Sequence, residues 1–186
     1  GGSTAVAAYG IVYSVIMLVY MPVLGLGQGI QPIIGYNYSA QNYRRTRQTL
    51  QCSITFATVF CIVMFGLIEL FARPIVTLFG GETDPSLIAM AVFGLRLFSL
   101  SLPIVGFQMI GANYFQYIGK YRQSVFLAVL RLLVLPIAFI LILSNYIGMT
   151  GIWLGAPVSD FIAFILTFVF IKTEMAHVYQ TDLAVG

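Results

Sequence analysis

Charge is what this sequence has least of. Only 8% of its 186 residues are charged, against about a quarter in an average soluble domain, which excludes an ordinary globular enzyme and any basic nucleic-acid surface. Histidine is nearly absent: the one copy, His177, has no second ligand beside it and reads as a solvated surface residue. The two cysteines, Cys52 and Cys61, lie too far apart along one apolar run for a bridge and read as small packing groups, saying nothing of redox compartment. No HExxH, GxSxG or intramembrane acidic pair occurs. The glycine run GLGQG follows no strand and lacks the lysine of a phosphate loop. We therefore expect neither an enzyme nor a bound cofactor nor a metal. The chain opens on Gly1, Gly2 and Ser3, with no basic leader segment, and we expect a piece of a longer protein.

What is present is apolar surface: 60% hydrophobic residues and a mean hydropathy of +0.96. At about 20 residues per crossing, the sequence predicts an all-α integral membrane protein with about five spans, over 4–40, 49–79, 85–118, 124–143 and 152–171. A polar cytoplasmic tail, 176–186, gives no fold signal. Arg44, Arg45, Arg47, Lys120, Arg122 and Lys172 fall on one side of these spans, whereas Glu82 and Asp84 fall on the other. Cytoplasmic flanks collect Lys and Arg, so the N-terminus is expected outside and the C-terminus inside a cell (inner, cytoplasmic) membrane. The link GGETDP reads as a turn, with Thr83 or Asp84 capping the next helix.

Two spans are too long for a straight crossing and carry helix breakers. Gly25 to Ala40, GLGQGIQPIIGYNYSA, is bounded and interrupted by Pro22 and Pro32, and a broken helix is expected there; Pro103 plays the same part in the third span. Pro22, Pro32 and Pro103 are the candidate hinges. A short echo, MPVLG (21–25) and LPIVG (102–106), would make the two spans equivalent bent helices facing a central cavity.

Ionisable groups inside spans cost about 2.5–3.5 kcal/mol at a helix centre, so Arg96, Arg131 and Asp160 stand out. By depth, Asp160 is within reach of either arginine. With two arginines for one carboxylate, a structural pair of Asp160 with Arg131 or Arg96 is favoured, and an ion-coupling role for Asp160 stays open. Glu69 and Arg73 stand at i, i+4 and are expected to pair. The neutral candidates for lining a substrate cavity are Gln28, Gln31, Gln108, Asn113 and Gln116, together with Arg96. Asn37 reads as a helix-end residue.

Several strings resemble one family. AVAAYGI, MPVLGLGQGIQPIIGYNYSAQNYRRTRQ, FARPIVTLFGGETD, GLRLFSLSLPIVGFQ, NYFQYIGKYRQS, LRLLVLPI and GAPVSD look like the C-terminal lobe of the multidrug and toxic compound extrusion (MATE) transporters, most similar to the MepA-like branch. The resemblance covers Ala5 to Lys172, and GQGIQPIIGYNY is its most specific part. It implies helices 8 to 12 of a twelve-helix, two-lobe transporter, so that residues 1–175 form a partial C-terminal lobe whose partner is the missing N-terminal lobe. It also implies alternating-access export of amphipathic organic cations and other drugs, as in antibiotic resistance, driven by a proton or sodium gradient. Cation-binding carboxylates known from some branches are not matched: where helix ten could offer an acid this chain has Gln116. Two rivals remain: a lipid-linked oligosaccharide flippase of the same superfamily, which would need several cavity cations, and a non-transporting membrane subunit.

Overall fold

The computed structural model of the chain describes residues 2–80 and 84–185. Glu82 and Thr83, and the side chain of His177, lie outside the described residues. Among the described residues all regular structure is helical: α1 (Gly2–Ser39), α2 (Tyr43–Gly80), α3 (Pro85–Ser99), α4 (Leu102–Tyr117), α5 (Tyr121–Val129), a π-helical turn (Leu130–Val134), α6 (Leu135–Ile147) and α7 (Met149–Val185). Four of these stretches are long and apolar enough to cross a bilayer, and the bent pair α3–α4 makes a fifth. These four to five candidate spans match the expected number; α2 begins earlier than expected, at Tyr43, and α5–α6 reach Ile147. The C-terminal stretch is a continuation of α7 as far as Val185, not a segment without fold.

The long helices α1 and α2 each bury one stripe and leave a largely apolar face outside, whereas α6 buries no residue. On α1 the buried positions are Ala8, Val12, Val15, Ile16, Val19, Val23, Ile30 and Ile34, an i, i+3/i+4 series in one register. On α2 the series is Leu50, Ala57, Cys61, Ile68, Ala72 and Val76. The outward faces keep large apolar side chains such as Leu70, Leu78, Leu132 and Leu141. A bundle that is apolar both inside and out is what a lipid environment selects.

Close crossings are made by small residues. A Cβ on Gly106 of α4 would fall 2.6 Å from the backbone of Ala57 on α2, so only glycine lets these two backbones touch. Gly148, at φ +58°, takes the left-handed turn that reverses α6 into α7.

Of the two bends that the prolines suggested, one is absent and one is present. α1 runs unbroken through Pro22 and Pro32, so the expected break after Leu24 is absent. Each proline deletes one hydrogen bond, and the single buried stripe carries the helix across the gaps. The third span does break, by 53° between Ser99 and Leu102. There Ser99 and Ser101 donate their hydroxyls to the carbonyls of Arg96 and Phe98, and Pro103 sits in the first turn of α4, where its missing donor costs least. The pentapeptide echo thus yields two different local structures. A further kink, not anticipated, lies in α2 at Phe71 (φ −117°, ψ 23°), one turn before Pro74.

Candidate substrate cavity

Helices α1 and α4 face each other across a cleft of about 480 Å³ lined by Leu24, Gln28, Gln31, Asn113, Gln116 and Tyr117. Helical spacing explains the set. Leu24, Gln28 and Gln31 share one face of α1, and Asn113, Gln116 and Tyr117 share one face of α4. Gly27 sets their approach, since a Cβ there would lie 3.0 Å from the Tyr117 hydroxyl.

Deeper in the bundle is a second cavity, of about 260 Å³, that meets the first at Leu24 and Asn113. α1 contributes Met17 and Tyr20, α4 contributes Gln108 and Met109, and α5, the π turn and α7 contribute Leu127, Arg131 and Thr167. Gln108 is 1% exposed, and neither its Oε1 nor its Nε2 has a hydrogen-bond partner.

Arg131 reaches this cavity from the π turn, where the Leu135 amide donates to the Leu130 carbonyl five residues back. Pro136, in the first turn of α6, lacks the donor an α-helical ladder would need, and the widened turn precedes it. The Arg131 Nε donates to Asp160 Oδ1 at 3.2 Å, and the guanidinium carbon lies 6.0 Å from the Tyr20 ring centroid, the outer limit of a cation–π contact.

Five of the six sequence-derived cavity candidates, Gln28, Gln31, Gln108, Asn113 and Gln116, line these two spaces. Arg96 does not. Its guanidinium lies 3.7 Å from Glu69 Oε2 and donates to the Glu69 carbonyl at 3.3 Å, while the Ser99 hydroxyl shares its one proton between Glu69 Oε1 and the Arg96 carbonyl. Glu69 therefore pairs with Arg96 and not with Arg73. The kink at Phe71 falls between Glu69 and Arg73 and spoils the i, i+4 geometry that their spacing promised. Asn37 lies in the last turn of α1 and donates to the Ile33 carbonyl.

Two features were not read from the sequence. Tyr20 lies one turn before Leu24 on the stripe that carries Gln28 and Gln31, so extending that stripe backwards would have found it. Glu174 of α7 is buried and accepts a 2.6 Å hydrogen bond from Lys120. Its signal, an acid two residues after Lys172, fell between the last expected span, which ends at 171, and the polar tail that begins at 176.

The geometry invites comparison with known membrane bundles. The MatE family model matches residues 2–142. The chain belongs to the MATE family. It is 28% identical over 170 residues to the multidrug export protein MepA of Staphylococcus haemolyticus, and the match covers 90% of this chain and 36% of that one. Two solved MATE structures share the fold: an outward-facing multidrug resistance transporter of the MOP superfamily (TM-score 0.90, 24% identity, 97% of this chain and 40% of that one) and an inward-facing one (TM-score 0.87, 23% identity, 96% and 43%). The chain thus spans about a third of the length of its MepA relative, and its fold corresponds to one lobe of a MATE transporter. MATE proteins are multi-pass membrane transporters and not enzymes.

Proposed function

We propose that this chain is the C-terminal lobe of a multidrug efflux antiporter that exports amphipathic organic cations by alternating access, coupled to a proton or sodium gradient. The observation that carries this reading is the pair of adjoining spaces between α1 and α4. The cleft is lined by the amides of Gln28, Gln31, Asn113 and Gln116, and the inner cavity mostly by apolar side chains. That division suits a molecule with a polar head and an apolar body. The MepA relative, named a multidrug export protein, supports the same class of substrate. The likeness of one lobe to both outward- and inward-facing MATE structures supports motion of whole lobes against each other.

The flippase alternative loses its main support. It needs unpaired cavity cations for a pyrophosphate headgroup, yet Arg96 is engaged by Glu69 and Arg131 by Asp160. In the proposed arrangement a first, N-terminal lobe completes the transporter. The clustering of Arg44, Arg45, Arg47, Lys120, Arg122 and Lys172 supports placing their side of the lobe, and the C-terminus, in the cytoplasm of a bacterial-type cell membrane. The test is ethidium efflux from drug-hypersensitive cells expressing the whole protein. Efflux that collapses when the proton or sodium gradient is dissipated is expected, and accumulation indistinguishable from vector-only cells would refute the reading.

A further inference from the structure

The span made by α5, the π turn and α6 shows one side to the bundle and turns the other away. Leu127, Ala128, Arg131 and Leu132 line the inner cavity. Arg122, Val125, Phe126, Val129, Leu130 and Val134 recur at helical spacing on the opposite side and line a groove of about 570 Å³. Phe126 stacks on Phe170 of α7, with ring centroids 6.1 Å apart, which fixes one flank of the groove. The rest is open, with Val125, Val129 and Val134 exposed.

A cation stands at one end of this apolar track. Among the described residues the ion pairs are Arg96–Glu69, Lys120–Glu174 and Arg131–Asp160, and Arg122 belongs to none of them. It lies two residues past Lys120, on the side where Arg44, Arg45, Arg47 and Lys172 also gather, and every residue of the groove beyond it is apolar. From Arg122 to Val134 the helix rises about 18 Å at about 1.5 Å per residue. One leaflet of a hydrocarbon core about 30 Å thick offers about 15 Å, so the track is one acyl chain long.

Charge and length together choose the occupant. An amphipathic cation would meet the guanidinium as a like charge. A second copy seated through the same face, about a twofold axis along the membrane normal, would bring its own Arg122 to the same depth. A zwitterionic lipid brings a cation with its phosphate. A lipid with a net negative headgroup offers its phosphate alone to the guanidinium fork, which matches phosphate oxygens, and its chain to the apolar track. We infer that this groove holds an anionic phospholipid from the leaflet on the side of the basic loops, its phosphate at Arg122 and one acyl chain running from Val125 to Val134. The site lies across the helix from the inner cavity and does not depend on what the protein exports.

The test uses the whole protein as its cells express it, purified in mild detergent and titrated with dioleoyl phosphatidylglycerol or dioleoyl phosphatidylcholine, which carry identical chains. Native mass spectrometry counts the bound lipids. The anionic lipid is expected to bind about 5-fold tighter, the effect of one exposed cation on a net negative headgroup. Arg122→Gln is expected to bring the two affinities within about 2-fold, whereas Arg44→Gln, in the other basic loop, is expected to keep the wild-type preference. If Arg122→Gln fails to run as a monodisperse species, Arg122→Met decides by the same criterion. sn-Glycerol 1-phosphate, a headgroup without chains, is expected not to displace the lipid at matched concentration. Equal binding of both lipids to wild type overturns the proposal, and is the result expected if another part of the protein or a second copy covers the groove. A preference that survives Arg122→Gln, or that Arg44→Gln removes equally, overturns it too, by making the preference a property of the whole basic surface. Displacement by glycerol phosphate overturns it by leaving a bare anion contact with no acyl track.

Discussion

Arg131 donates its Nε to Asp160 Oδ1 at 3.2 Å, linking a π-helical turn in one span to the middle of another. Both side chains are largely buried, at 15% and 12% exposure. Removing one member of such a pair leaves the other charge unpaired and costs about 3–5 kcal/mol, whereas removing both costs much less. Asp160→Asn is therefore expected to lower folded yield more than it alters the ion dependence of efflux, and Arg131→Gln to do the same. The double variant Arg131→Gln/Asp160→Asn is expected to recover much of the yield. Fluorescence-detected size-exclusion chromatography checks the yields. Normal yield of Asp160→Asn with abolished proton or sodium dependence would instead make Asp160 the coupling group.

The Glu69–Arg96 contact is a different kind of pair. Its side chains are exposed by 32% and 54% and lie 3.7 Å apart, so it is a looser and less enclosed contact than Arg131–Asp160 and stabilises less. Arg96→Ala is expected to lower the midpoint of thermal unfolding slightly and Arg73→Ala to leave it unchanged. A larger loss from Arg73→Ala would mean that Glu69 prefers its i, i+4 neighbour in the membrane.

These two pairs mark what was legible beforehand. Depth along a helix follows from a rise of about 1.5 Å per residue, so a meeting of Asp160 with Arg131 or Arg96 was readable from position alone. Choosing between the arginines needed the packing of α6 and the π turn against α7, which periodicity does not encode. The residues that line the cleft were legible because polar side chains in an apolar helix stand out: Gln28, Gln31, Asn113 and Gln116 come together there. The bends were only half legible. Pro22 and Pro103 sit in nearly the same pentapeptide, yet one lies inside a helix and the other starts one. The difference comes from the serine hydroxyls at Ser99 and Ser101 and from the partners each span packs against.

That contrast separates the two hinge candidates. Pro103→Ala restores a donor at the 53° break between α3 and α4, and is expected to slow ethidium efflux several-fold while expression stays near wild type, because hinge positions absorb backbone rotation during closure. Pro22→Ala, inside an unbroken helix, is expected to have the smaller effect. Equal losses in both, measured as initial efflux rates at matched expression, would place flexibility in α1 as well.

The Lys120–Glu174 pair ties the turn between α4 and α5 to the far end of α7, at 2.6 Å. Glu174 is 9% exposed in its side chain and Lys120 34%, so solvent screens part of the interaction. Lys120→Met leaves a buried carboxylate alone and is expected to cost about 1–2 kcal/mol after that screening, with Lys120→Met/Glu174→Gln milder than the single change. Thermal unfolding of the three variants decides. A double variant no better than Lys120→Met would mean that the lysine stabilises the turn through its aliphatic stem.

Among the described residues, Asp84 gives a pH dependence from a group outside the spans. Its carboxylate caps α3, accepting from the Ser86 amide at 2.8 Å and from the Ser86 hydroxyl at 3.0 Å. The amide bond first, and then the hydroxyl, holds its pKa below the usual aspartate value. A carboxyl whose pKa is lowered by folding contributes stability that is complete above its unfolded pKa and disappears as pH falls through the folded one. Wild type is therefore expected to lose its advantage over Asp84→Ala as the solution is acidified below the ordinary aspartate range. Thermal midpoints of the two proteins, recorded in parallel from neutral to acidic pH, are expected to converge. A constant gap across that range would mean that Asp84 acts through its shape and not through its charge.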